Sequence, residues 1–330
     1  MLNIQSEEIK IILENYIYPV LPLQLVTIIS AVPTHELACL MEIRLRVNRP
    51  LLLVLGSVDI ILSPTGTIVN DLAAAYCCTR DDINKILQLI SKNSLYAFEQ
   101  ELKMGYLTIH GGHRVGFAGQ AIVDGGEIKA LKNISSLNIR MARQIKGCGD
   151  KIMPYIISLE KRVLSTLVIS PPCCGKTTIL RDIIRQVSSG FGKFRGVEVG
   201  VVDERSEIAA CKNGIPTVDL GPRTDVLDGC PKASGMLMLI RSMSPAVVAT
   251  DELGRAEDVC AVHEALNAGV SIIATVHGRD INDVLQRPYV GELILNKYFD
   301  RYVVLSSSPQ VGTIERIIDS KEHKTIWEKE

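Results

Sequence analysis

Hydrophobic and polar residues follow two different rhythms along this chain. In the first half the apolar positions alternate or cluster briefly. Ile43, Leu45 and Val47 interleave with Arg44 and Arg46, the period of a strand with one buried face. Asn48 to Pro50 then predicts a turn before the apolar run 51–55, and Pro64, Thr65 and Gly66 predict a hairpin. At Thr79 the period lengthens: Thr79 caps, Asp81 and Asp82 fill a first turn, and Ile83, Ile86, Leu87 and Ile90 share one helical face. Segments 106–109 and 113–118 flank Gly111 and Gly112 and predict an antiparallel pair. These elements predict a smaller α+β N-terminal domain over 1–145, with a glycine-bearing linker at 146–152.

Beyond the linker the rhythm becomes strand, helix, strand, helix. Strands are predicted at 164–169, 197–202, 246–250 and 271–276, and helices at 177–187, within 232–243, and at 256–268. Three of the four strands are almost continuously apolar, as expected when helices cover both faces of a parallel sheet. The exception is 197–202, where Glu198 and Gly200 alternate with valines before Val201 and Val202 and predict a first half nearer an edge or a solvent-exposed end of the sheet. The fold class expected is therefore α/β: a domain with a mostly parallel sheet over 153–330, preceded by the smaller α+β domain.

Composition narrows the classes of partner. With 330 residues, 47% of them hydrophobic, the chain has material for two cores. Thirty-six basic residues face thirty-seven acidic ones, and five Phe and one Trp give few platforms for stacking bases, which argues against a dedicated nucleic-acid binder. The nine cysteines show no C-x-x-C spacing, so reduced thiols are expected. Glu7, Glu8 and Glu14 interrupt any signal-peptide character, and no run approaches the roughly 18 apolar residues of a membrane span. The expected location is cytoplasmic, with any membrane association peripheral.

The chemistry gathers at strand ends. Ser170, Pro171, Pro172, Cys173, Cys174, Gly175, Lys176, Thr177 and Thr178 match the phosphate-loop pattern except at the first position, where serine replaces glycine. In such a loop, backbone N–H groups and the helix N-terminus face phosphates, Lys176 neutralises charge, and the Thr177 hydroxyl ligates magnesium. A second apolar strand runs into Asp251 and Glu252, suited to hold Mg2+ and to polarise the attacking water. A third ends in Asp203 and Glu204, and a fourth in His277, placed to sense a γ-phosphate. Ligands of open α/β sheets bind beyond the carboxyl ends of strands, so Ser170, Asp203, Asp251 and His277 are expected to converge on one crevice. Glu204 and Glu252 both remain candidates for the general base, with Glu252 preferred.

Together these motifs resemble the traffic ATPases of type II and type IV secretion. Closer still, Glu42-Ile-Arg-Leu-Arg46, Gly111-Gly-His-Arg-Val-Gly116, Asp203-Glu-Arg-Ser-Glu207, Arg223-Thr-Asp-Val-Leu-Asp228 and Thr275-Val-His-Gly278 resemble a stage III sporulation family within that superfamily, across nearly the whole chain. The resemblance implies an ATP- and Mg2+-dependent homo-hexamer. Its partners would be membrane-embedded secretion or sporulation channel proteins, and it would power assembly or transport between mother cell and forespore. It also implies that Arg114 and Arg140 approach the nucleotide; Arg223, Arg241 and Arg255 are the alternatives. Relatives carry glycine where this chain has Ser170 and Cys173, and a β-carbon where the backbone wants positive φ costs on the order of 1 kcal/mol.

Three activities fit this sequence. The first is an ATP-hydrolysing motor with the N-terminal domain as lever or partner-binding surface. The second is an ATP-dependent translocase on single-stranded nucleic acid, disfavoured by the neutral charge. The third is a nucleotide switch that scaffolds a membrane complex with negligible turnover, which the loop substitutions keep open.

Overall fold

The computed structural model describes residues 2–56, 58–91, 105–142, 144–172, 174–211 and 213–329. The chain divides into two compact units, Met1–Ala142 and Arg143–Glu330.

The first unit opens with helices α1 (Leu2–Ile12), α2 (Leu23–Ser30) and α3 (Thr34–Leu37). Strands β1 (Leu40–Arg46), β2 (Leu52–Leu55), β3 (Val58–Leu62) and β4 (Ile68–Val69) follow, then α4 (Arg80–Ser91), β5 (Tyr106–Thr108), β6 (Arg114–Asp124) and β7 (Glu127–Arg140). The strands pair antiparallel in the order β4-β3-β2-β1-β7-β6-β5. The alternation read in the sequence has its cause here: Ile43 and Leu45 are fully buried with Ile28, Ile29, Ile83 and Ile86, while Arg44 and Arg46 point to the other face. The α4 cap forms as its residues predict. The Thr79 N–H and hydroxyl both donate to Asp82 Oδ2, at 2.7 and 2.8 Å, and Asp82 N–H donates back to Thr79 Oγ1 at 3.1 Å. Gly111 and Gly112 make the β5–β6 turn at φ 84° and 76°, a region open to glycine.

The second unit carries α5 (Met153–Ile156), β8 (Thr166–Ser170), α6 (Lys176–Ser189), the short pair β9 (Gly190–Phe191) and β10 (Phe194–Arg195), β11 (Val199–Asp203) and β12 (Thr224–Asp228). It continues with α7 (Lys232–Met243), β13 (Val247–Thr250), α8 (Ala256–Asn267), β14 (Ser271–His277), α9 (Ile281–Leu285), α10 (Val290–Leu295), β15 (Arg301–Ser306), β16 (Thr313–Asp319) and β17 (Lys324–Glu328). The large sheet runs β12-β11-β13-β14-β8-β15-β16-β17. Neighbours from β12 to β15 are parallel, and β16 and β17 add an antiparallel edge. Alternate strand residues feed two cores. Val168, Val201, Ala249 and Ile273 pack with Ile179, Ile183 and Val187 of α6, whereas Leu167, Val202, Val248 and Ile272 pack with Met236 of α7 and Val262 and Ala265 of α8. Burial on both faces is why these strands read as unbroken apolar runs.

Two expectations change. Residues read as linker, 146–152, pack within the second unit: Gly149 N–H donates to Asp182 Oδ2 at 2.8 Å, Gln186 Nε2 to Asp150 Oδ1 at 2.9 Å, and Ile152 is fully buried. The expectation for 197–202 holds in part, since β11 lies next to the sheet edge and the residue before it is exposed while the strand itself is buried. All five of its residues are buried, β12 forms the edge beyond it, and only the preceding Glu198 faces solvent. Gly200 breaks the apolar run because helix α7 crosses there, where an added Cβ would stand 3.1 Å from Leu239 Cδ1.

Candidate active site

The site of the second unit is built from the carboxyl ends of β8, β11, β13 and β14. Ser170 and His277 are paired in register as the last residues of β8 and β14, so the chain leaves the sheet at Pro171 beside the histidine. Gly175 caps α6 at φ 80°, and an added Cβ would lie 3.2 Å from Gly312 Cα in the β15–β16 turn, so glycine alone fits. Lys176, 6% exposed, follows directly. Its Nζ donates to Pro171 O at 3.2 Å and to His277 Nδ1 at 3.0 Å. An ammonium only donates, so Nδ1 accepts, and the Nε2–H of the ring donates to Glu252 Oε1 at 2.9 Å. Glu252 also accepts from Arg205 Nη1 at 3.1 Å. A continuous polar chain, Lys176 to His277 to Glu252 to Arg205, thus crosses from the phosphate-loop lysine to the residues after β11.

Glu252 reaches this position by leaving the strand in a left-handed conformation, φ 39°, held by its N–H donating to Thr275 Oγ1 at 2.9 Å. Such a backbone in a non-glycine residue costs of order 1 kcal/mol and persists only where neighbours enforce it. Asp251 behaves differently. It is 2% exposed, and its Oδ1 is buried without a hydrogen bond. Lys232 Nζ lies 4.0 Å from that oxygen and donates to Glu204 Oε2. Burial pushes the Asp251 carboxyl from 3.8 up to about 7; Lys232 opposes the rise, and the charges of Asp203, Glu207 and Glu252 add to it. Burial also acts to raise Glu204, but the bond and charge of Lys232, with Arg255 and Arg205, hold it below the usual carboxylate range.

Asp203 does not face the crevice as the strand-end pattern suggests. Its Oδ1 accepts from Glu207 N–H at 2.8 Å, and its Oδ2 accepts from Ile208 and Ala209 N–H at 2.9 and 2.8 Å. Burial raises its carboxyl while these three donors work against the rise. Arg181 fastens the same loop from α6, donating to Ile208 O at 2.8 Å and to Glu207 O. Asp203 therefore shapes the loop that presents Glu204 and Arg205. Arg181 and Lys232 carry no motif, and only a basic residue at a helix face otherwise rich in buried positions marks them in the sequence.

The phosphate loop corrects another expectation. Ser170 lies within β8 in strand conformation, fully buried, and its hydroxyl donates to Pro171 O at 2.9 Å, so its β-carbon meets no left-handed backbone. Cys173 lies outside the described residues. Cys174 is buried and its thiol donates to Pro172 O at 3.5 Å. Thr177 and Thr178 occupy the first turn of α6, half-buried. Arg114 and Arg140 belong to the first unit, paired across β6 and β7: Arg114 stacks 3.5 Å over the Tyr106 ring, and Arg140 meets Glu42 at 3.5 Å. Arg223 donates to Ser188 O at 2.9 Å. Among the described residues no cluster of three or more His, Cys, Asp or Glu side chains forms a metal cage. A buried carboxylate oxygen without a donor nonetheless fits Mg2+, which keeps waters and substrate phosphates in its shell and needs few protein ligands.

Solved structures of this fold include the Legionella pneumophila ATPase DotB, with a TM-score of 0.53 and 15% identity over 82% of this chain and 73% of that one. They also include the pilus retraction motor PilT with bound ADP, with a TM-score of 0.50 and 14% identity over 80% of this chain and 74% of that one. The fold of this chain is shared with these two proteins. The chain belongs to the family described as Sporulation stage III, protein AA, whose profile matches residues 13–325. It is 45% identical to Stage III sporulation protein AA of Bacillus subtilis (strain 168) over 305 residues, 92% of this chain and 95% of the relative. Among the described residues no helix is long and apolar enough to cross a membrane.

Proposed function

We propose that the second unit binds and hydrolyses ATP, and that the chain works as a motor of the secretion type. The observation that carries this reading is the polar chain joining Lys176, His277 and Glu252 at 3.0 and 2.9 Å, which puts a phosphate-neutralising cation, a hydrogen-bonding ring and a carboxylate base at one place. The backbone N–H groups of Cys174 and Gly175 and the α6 N-terminus face the β- and γ-phosphates, and Lys176 turns from Pro171 O to them. His277 donates to the γ-phosphate through the proton it now gives Glu252. Glu252, so released, takes a proton from water as the water oxygen bonds to the γ-phosphorus, and ADP leaves with the bridging oxygen. Thr177 and Asp251 would hold Mg2+, which would supply positive charge against the phosphates. Arg114 and Arg140 are proposed to approach the nucleotide in a homo-hexameric ring.

In this reading the chain acts in the cytoplasm on membrane-embedded partners of a sporulation channel between mother cell and forespore, the role the family likeness supports. RecA-like architecture is proposed on the six-stranded parallel run from β12 to β15 and the loop between β8 and α6. Calorimetric titration with ATP and Mg2+ tests the binding step. Lys176→Ala is expected to weaken affinity at least about tenfold, one charged contact's worth, while melting as the wild type does. Equal affinity in both proteins overturns the assignment of the loop.

A further inference from the structure

Lys232 matches no motif, yet its side chain is only 6% exposed. It opens helix α7 immediately after Pro231. Both circumstances oppose an ammonium, because burial strips its water and a helix N-terminus already carries positive partial charge. A lysine retained against two such penalties is held by what it touches. It touches two carboxylates beyond neighbouring parallel strands: Nζ donates to Glu204 Oε2, one residue past β11, and stands 4.0 Å from Asp251 Oδ1, one residue past β13. That Asp251 oxygen is buried and accepts no hydrogen bond. Lys232 thus supplies it with charge from just beyond bonding reach, and leaves its lone pairs to a closer cation.

We propose that Lys232 is a positioning residue that stands in for a divalent cation between Glu204 and Asp251. It keeps the two strand ends together in the nucleotide-free protein and yields Asp251 when the metal arrives. The inference rests on the reading of this crevice as a Mg2+-nucleotide site for the identity of the cation. It does not rest on turnover. Without Lys232 the two carboxylates face each other with no cation between them, so a divalent ion gains a place it does not have in the wild type.

The test uses the full chain without nucleotide, melted in EDTA and in millimolar Mn2+. In EDTA, Lys232→Met is expected to melt roughly 5–10 °C below the wild type, as loss of one partner from a buried ion pair does. Mn2+ is expected to restore most of that loss while moving the wild type by less than about 1 °C. Lys232→Arg keeps the charge and follows the wild type. Adding Glu204→Gln to Lys232→Met removes the response to Mn2+. A Lys232→Met protein that melts low and ignores Mn2+ overturns the proposal, and so does a wild type that responds as strongly. If Lys232→Met fails to fold in EDTA, recovery in Mn2+ supports the proposal and failure in both conditions overturns it. Absence of nucleotide binding by the wild type sinks the reading of the site but leaves this result standing, since no nucleotide is present.

Discussion

Asp251→Asn changes one atom in a buried side chain, and the structure says what that does to stability. Burial holds the folded Asp251 carboxyl at about 7 against an ordinary 3.8. Between those two values the unfolded chain has released a proton that the folded chain keeps, so the folded state binds more protons and stability falls as pH rises. The loss is complete above the folded value and amounts to roughly 4 kcal/mol, at 1.36 kcal/mol per tenfold change in proton affinity. For a unit of this size that is on the order of 10 °C in melting temperature. Asparagine has no proton to release and removes this contribution. The only tryptophan, Trp327, sits in β17 of the same unit and reports its unfolding by fluorescence. Melted in EDTA, Asp251→Asn is therefore expected to gain on the wild type steadily from about pH 4 to pH 7 and to hold that gain above. Other groups titrate in both proteins, so the difference between the two curves carries the test. A difference that stays constant across this range refutes the assignment of a buried, largely uncompensated carboxylate at Asp251.

Three further outcomes follow from the geometry. Gly235→Ala places a Cβ 2.5 Å from Val202 Cγ1, and although alanine favours helices, overpacking at the α7–β11 contact is expected to cost about 1–3 kcal/mol in urea unfolding; a more stable variant contradicts the packing. Ser170→Gly removes a buried strand residue and its 2.9 Å bond to Pro171 O, so a loss of about 1 kcal/mol with no gain in ATP affinity is expected, and a tenfold tighter complex would show that the serine strains the loop. Glu204 is tied to buried Lys232 while Glu252 sits on His277, so Glu252→Gln is expected to lower turnover by roughly 100-fold or more and Glu204→Gln by less; the reverse ranking moves the base to Glu204.

The sequence reveals most where one physical signal dominates. Continuous apolar runs mark β8, β13 and β14 because helices bury both faces, and Thr79 with Asp82 marks the start of α4 because the cap is local. The helices before β1 and the strands after α10 gave weaker signals: β15 to β17 mix buried Val303 and Ile317 with Arg301, Arg316 and Asp319, whose charges find partners only after folding, as in the 2.5 Å pair of Arg301 with Asp319. The site shows the same division. Ser170, Lys176, Asp251, Glu252 and His277 are legible because each ends or directly follows a strand or opens a helix. Whether a strand-end acid turns into the crevice or into its own loop depends on backbone donors several residues on, and this is why Asp203 reads like Asp251 in the sequence and behaves differently in the fold. Lys232 is illegible for the converse reason, since its two partners lie 28 residues before it and 19 after it in the chain.

Steady-state phosphate release from the full chain with Mg2+ and ATP, measured across protein concentrations that span self-association, asks directly whether this protein is an ATP-driven motor. Sustained turnover that rises with assembly, and falls roughly 100-fold or more in Lys176→Ala, is the result expected of a secretion-type ATPase. Turnover absent at every concentration, or equal in wild type and Lys176→Ala, contradicts it.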